Sequence, residues 1–204
     1  MPSAHAPTEE LLALLRGGVV KSHEVARLLD ALPGADRVLA IRALGRSEQR
    51  RLYEAAGGVS RVQLVDLVPP ATPDLVAVRH YGRNTLPAFT LFEKRFARPK
   101  GEDPNAPKRL AGWNFQTLSP LTGPGYFVAR NDEARGEVLI DYREVPTQAP
   151  EGWPPIVSND RGLGRFVYGN MVDTLRRVSE HVTIGSAARG GKDLGSWFVL
   201  CRES

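Results

Sequence analysis

From Arg61 onward the chain is a succession of short apolar and aromatic runs, each cut off by glycine, proline, asparagine or aspartate. The runs are Val62–Val68, Leu75–Arg79, a stretch punctuated by Phe89, Leu91, Phe92 and Phe96, then Trp113–Leu118, Tyr126–Arg130 and Glu137–Arg143. Arg165–Tyr168, Val182–Ser186 and Trp197–Arg202 complete the set. Roughly seven to nine short strands in succession, joined by turns rather than helices, predict an antiparallel sheet that is strongly curved or closed into a barrel. Glu137–Arg143 has the clearest period of two, with Val138, Ile140 and Tyr142 on one side and Asp141 and Arg143 on the other.

Before Arg61 the period changes. Ser22 and Glu24 open a segment in which Val25, Leu28, Leu29 and Leu32 recur at helical spacing until Pro33-Gly34. A leucine-rich segment precedes it, one with Val38, Ile41 and Leu44 follows, and Ser47 heads a fourth. Their apolar stripes are narrow, so the helices are expected to pack against the rest of the chain. The resulting fold class is α+β: a small N-terminal helical bundle in residues 1–60, then a β-rich, barrel-like unit in residues 61–204.

Several functions find little support. Net charge is +4, but basic and acidic residues interleave, as in Glu93-Lys94-Arg95, rather than gathering into a nucleic-acid footprint. Ser22–Leu44 resembles helix-turn-helix only loosely, with Arg37 and Arg42 as the available contacts on its second helix. No apolar run is long enough to span a bilayer as a helix, and the N-terminal residues lack a signal-like pattern, so a cytoplasmic location is expected. The single cysteine, Cys201, lies in an apolar strand and reads as an inert buried thiol. Histidines 5, 23, 80 and 181 are scattered and give no metal-ligand spacing. Gly185–Lys192 has six intervening residues where a phosphate loop has five, and Asp193 stands where Ser or Thr would hold magnesium. It reads as a hairpin turn. No motif names a cofactor.

The candidate site begins at His80-Tyr81-Gly82-Arg83-Asn84, which brings an imidazole, a phenol, a guanidinium and an amide together between two strand segments. Read as a loop, it belongs at a barrel mouth. The plainer reading is a turn permitted by Gly82 and Asn84. Trp113, Tyr126, Tyr142 and Tyr168 are the aromatics expected to line a pocket, and the proline-rich stretch from Glu144 to Gly164 is expected to gate it. Among the carboxylates, Glu93, Asp141 and Asp173 are candidates for acid–base work or, more plainly, for ion pairs; Asp173 and Arg176 would meet on a helix face.

The C-terminal segments Asp173-Thr-Leu-Arg-Arg-Val178, Val182-Thr-Ile-Gly185 and Trp197-Phe-Val-Leu-Cys-Arg-Glu203 resemble a recurrent ending of bacterial lipocalin-like proteins, the GxWxG-type family. Gly195-Ser196-Trp197-Phe198 carries the first half of that motif. The resemblance implies a small β-barrel and supplies no chemistry. Together these readings favour a protein that binds a small apolar or amphipathic molecule through His80, Tyr81, Arg83, Asn84, Trp113, Tyr126, Asp141, Tyr142 and Tyr168. Two alternatives stand beside it: an enzyme on the same scaffold using His80, Tyr81 or Asp141, and an interaction module whose N-terminal helices dock a protein partner.

Overall fold

In the computed structural model, which describes residues 6–115, 123–159 and 164–203, eight strands follow one another around a closed antiparallel barrel. They are β1 (Val78–Asn84), β2 (Leu91–Ala97), β3 (Leu110–Phe115), β4 (Tyr126–Asp132), β5 (Glu137–Asp141), β6 (Met171–Arg177), β7 (Val182–Arg189) and β8 (Lys192–Arg202). Each pairs with its neighbour in sequence, and β8 returns to β1 through Gly82 opposite Leu200 and Asn84 opposite Phe198. This is the up-and-down topology of lipocalin barrels.

Register decides what faces inward. His80 lies opposite Lys94, Lys94 opposite Asn114, Phe96 opposite Gly112 and Gly112 opposite Phe127. Ala129 lies opposite Ile140, Ile140 opposite Asp173, and Leu175 opposite Gly185. These residues form one inward phase. Two glycines in it make room for rings. A Cβ on Gly112 would stand 2.1 Å from Phe127 Cε2, and one on Gly185 would stand 2.2 Å from Phe198 Cζ. The phenyl groups therefore lie across the lumen and fill its middle, with Phe92, Phe96, Leu110, Leu175 and Leu200 around them.

One end of the barrel is closed. The run Val62–Val68, expected as a strand, instead forms a helical turn, α5 (Leu64–Leu67). Leu64, Leu67 and Val68 recur at helical rather than alternating spacing, and the Asp66 carboxylate accepts a 2.8 Å bond from the Gln63 amide to start the turn. Val62, Leu64, Leu67 and Val68 join the interior core, and Asn131 accepts a 3.0 Å bond from the Leu64 amide. Arg165–Tyr168, also expected as a strand, lies in the helical turn α6 (Gly164–Tyr168), and the Asp173–Arg177 stretch expected as helix lies in β6. The end of the expected strand Trp113–Leu118 lies outside the described residues.

The N-terminal helices are α1 (Ala6–Arg16), α2 (Ser22–Ala31), α3 (Gly34–Arg42) and α4 (Arg46–Ala56). Their buried residues Leu11, Leu15, Val25, Leu29, Ile41 and Leu52, with Leu44 from the α3–α4 turn, form one core with Val182, Ile184, Val199 and Cys201. The last four are the outward phase of β7 and β8, so these strands are covered on both faces. The Cys201 thiol is buried there and shifted upward by burial. Ser22 does not cap α2; Lys21 holds the N-cap position, and the Ser22 hydroxyl donates to Ala55 O at 2.7 Å, tying α2 to α4. Gly45, not Ser47, takes the N-cap position of α4. Arg37 is consumed internally: its Nε and Nη2 donate to Leu29 O and Leu32 O, both at 2.8 Å, satisfying carbonyls at the end of α2. No helix among the described residues is long and apolar enough to cross a membrane.

Candidate functional site

The end of the barrel opposite α5 holds a cavity of about 300 Å³. Inward residues from most strands line it: Asn84, Phe92, Lys94, Asn114, Tyr142, Met171, Asp173, Ala187 and Phe198. Val167 and Tyr168 of α6, Leu86 from the β1–β2 connection, Arg189 at the end of β7 and Leu194, Ser196 and Trp197 of β8 complete the wall. The Tyr142 and Tyr168 rings stack with centroids 5.3 Å apart, and the lining is mostly apolar.

The floor is different. Lys94, 2 % exposed, donates to Asn114 Oδ1 at 3.0 Å, to the Tyr142 hydroxyl, and to Asp173 Oδ2 at 3.4 Å. Asn114 Nδ2 donates to the Tyr142 hydroxyl at 3.0 Å, and that hydroxyl lies 3.3 Å from Asp173 Oδ2. Rings of Phe92, Phe127, Tyr142 and Phe198 surround the ammonium at 4.8–5.8 Å. Burial draws Lys94 below its ordinary value and Asp173 above its own, and each charge partly offsets the shift of the other. Burial, then the Asp173 charge, push the Tyr142 phenol well upward, so it stays protonated. Asp173 Oδ1 is buried and has no hydrogen-bond partner among the described residues.

Of the nine residues singled out in the sequence, the structure brings Asn84, Tyr142 and Tyr168 to this cavity. The other six lie elsewhere. The segment 80–84 is not a loop but β1 itself, and alternation sends its side chains to opposite faces. His80 points inward near the closed end, with Nε2 3.0 Å from Leu67 O. Tyr81 and Arg83 point outward, Tyr81 donating to Glu203 at 2.9 Å and Arg83 to Arg42 O. Trp113 and Tyr126 form an outer aromatic cluster with Trp153 at centroid distances of 6.0–6.5 Å. Asp141 is bound bidentately by Arg143 at 2.7 and 2.9 Å, also in the outward phase. His80, Tyr81 and Asp141 thus share no site.

The gating segment needs the same correction. Its residues 144–159 pack on the outer face, where Tyr126 donates to Pro154 O at 2.5 Å and Asn159 Nδ2 donates to Tyr126 O and Tyr142 O. None of them lines the cavity. Residues 160–163 lie outside the described set.

Lys94 and Asn114 were missed. The signal for Lys94 is its position midway between Phe92 and Phe96, in the same phase of a strand. A lysine in an apolar phase of period two is either on an exposed edge or buried with partners, and a closed barrel has no edge. Comparison with protein-family models and with curated proteins finds no match.

Proposed function

We propose that the protein binds one small apolar or amphipathic molecule in the open half of its barrel. The observation that carries this reading is the cavity itself, an apolar-walled space with a few convergent polar groups at its floor. The enzyme reading built on His80, Tyr81 and Asp141 loses its basis, because those groups are dispersed over the barrel. The interaction reading is weakened too, since the apolar stripes of α1–α4 are turned onto β7 and β8. The closed meander and the C-terminal pattern carried on β6, β7 and β8 support grouping the chain with bacterial lipocalin-like proteins. We place the function in the cytoplasm.

The test is native mass spectrometry of the protein purified from its own host, beside Ala187→Trp. Ala187 is an inward residue of the cavity wall, and an indole there occupies the space. The wild type should carry a small molecule that is released on denaturation, and the variant should not. Bare protein in both preparations, or equal loading of both, would count against the cavity as the binding site.

A further inference from the structure

We propose that the open end of the barrel docks on an anionic lipid bilayer; entry of the apolar ligand from that bilayer rests on the ligand-binding reading. The connections at this end join β1 to β2, β3 to β4, β5 to β6 and β7 to β8. Large apolar side chains stand in water along it. Leu86 and Phe89 of the β1–β2 connection, Val167 of α6 and Leu194 near the start of β8 are 37–54 % exposed. Leu91 and Phe115, at the ends of β2 and β3 on the same side, are exposed as well. Away from this end, Val19, Leu39, Val59 and Val76 lie on four separate segments. Exposed apolar surface gathered in one place marks an interaction site, with a protein or a membrane.

Two observations favour the membrane. The rim is continuous with the cavity, because Leu86, Val167 and Leu194 both line the cavity and stand exposed at its edge. They come from separate connections around an opening, so they form a ring to press into lipid rather than a slot for a peptide. A molecule passing from a bilayer through this ring meets apolar side chains on the way. Charge is the second observation. Arg95, Arg130 and Arg143 are offset by Glu93, Glu144 and Asp141, and Lys94 by Asp173 within the cavity. Arg46 belongs to this end too, since it donates to Gly195 O and lies over the Trp197 ring. Arg189 lines the cavity and donates to Val167 O at 2.9 Å. Among the described residues here, exposed Arg46, Arg165, Arg189 and Lys192 outnumber exposed Glu151 and Asp193. Cations beside an apolar ring match a surface of anionic headgroups over acyl chains.

The test mixes the full-length wild-type protein with vesicles of phosphatidylcholine alone, or of phosphatidylcholine and phosphatidylglycerol in equal parts, and reads bound protein by flotation. The mixed vesicles should bind it at least about ten-fold more tightly, and added salt should erode the difference. Leu86→Ser with Phe89→Ser should weaken that binding at least about ten-fold, and Leu194→Ser, at a separate point of the ring, should weaken it too. Both variants should melt like the wild type, since exposed substitutions cost little. No binding to either vesicle, equal binding to both, or full binding by the folded variants would each overturn the proposal. A concentration-dependent dimer in ultracentrifugation that the variants abolish, without vesicle binding, would assign the rim to a second copy instead. Ligand loading is read separately by native mass spectrometry. Protein that carries a ligand yet ignores both vesicles loses only the docking; protein that docks but carries none loses the ligand-binding reading and keeps the membrane surface.

Discussion

Acidification should loosen the closed end of the barrel through His80. The imidazole is buried, with Nε2 3.0 Å from Leu67 O on the closing turn α5 and its ring centroid 4.8 Å from that of Phe96, edge to face. The carbonyl can only accept, so Nε2 carries the proton. Nδ1 then has no partner among the described residues, and protonating it would place a cation in an apolar site facing Arg202 across the β1–β8 pair. Burial, opposed by the Leu67 bond and reinforced by Arg202, pushes the pKa down from 6.5 to about 4. The unfolded chain therefore takes up this proton first as pH falls. The stabilisation from a neutral His80 is full above pH 6.5 and drains away as pH falls through about 4. At about 1.4 kcal/mol per pH unit, the loss across that window is roughly 3 kcal/mol. Urea denaturation at several pH values between 7.5 and 4 measures it, with His80→Gln as the reference. Glutamine can keep a donor to Leu67 O without titrating, and carboxylates contribute equally to both proteins. The wild type should lose about 3 kcal/mol more than the variant. Parallel pH profiles would refute the reasoning.

Lys94→Met leaves Asp173 buried without its cation and should cost about 3–5 kcal/mol in urea melts. Lys94→Met with Asp173→Leu should cost about 1–3 kcal/mol, because only the polar groups of Asn114 and Tyr142 then lose partners; strict additivity of the single variants would show the pair to be uncoupled. Gly185→Val puts a Cβ into the Phe198 ring and should destabilise by about 1–3 kcal/mol or more, with calorimetric melting as the check. Residues 1–60 expressed alone expose the apolar face that covers β7 and β8, and their circular-dichroism melt should be weak and non-cooperative. A sharp transition would establish them as an autonomous unit.

The barrel was legible because its short strands follow one another and alternate; Val138, Ile140 and Tyr142 face inward as their spacing indicates. The cavity lining was legible only where composition and phase agree, as at Tyr142. Aromatic character alone misplaced Trp113 and Tyr126, since the segment carrying Trp153 folds back and covers them on the outside. Dense polarity misplaced His80–Asn84, where a strand distributes its side chains to two faces and only Asn84 reaches the cavity. Leu64–Leu67 illustrates a different difficulty. Its β-branched neighbours suggest a strand, whereas the helical spacing of Leu64, Leu67 and Val68 and the bonds from the Gln63 and Leu64 amides to Asp66 and Asn131 favour a turn. The polar floor depends on contacts between residues as far apart as Lys94 and Asp173, and only barrel closure and register bring them together.

The two halves of the barrel are filled by different means, and the polar cluster stands where the filling stops. Towards α5, rings folded over glycines and the leucines of the closing turn leave an apolar core. Beyond Phe127 and Phe198 the inward phase turns to Lys94, Asn114, Tyr142 and Asp173, and the cavity opens above them. A buried ion pair contributes little net stability compared with apolar residues of similar volume. Stability alone therefore does not account for the pair. Its four groups bond one another and hold a fixed geometry at the cavity floor. A rigid polar floor beneath an apolar wall is what orientation of a single bound molecule requires.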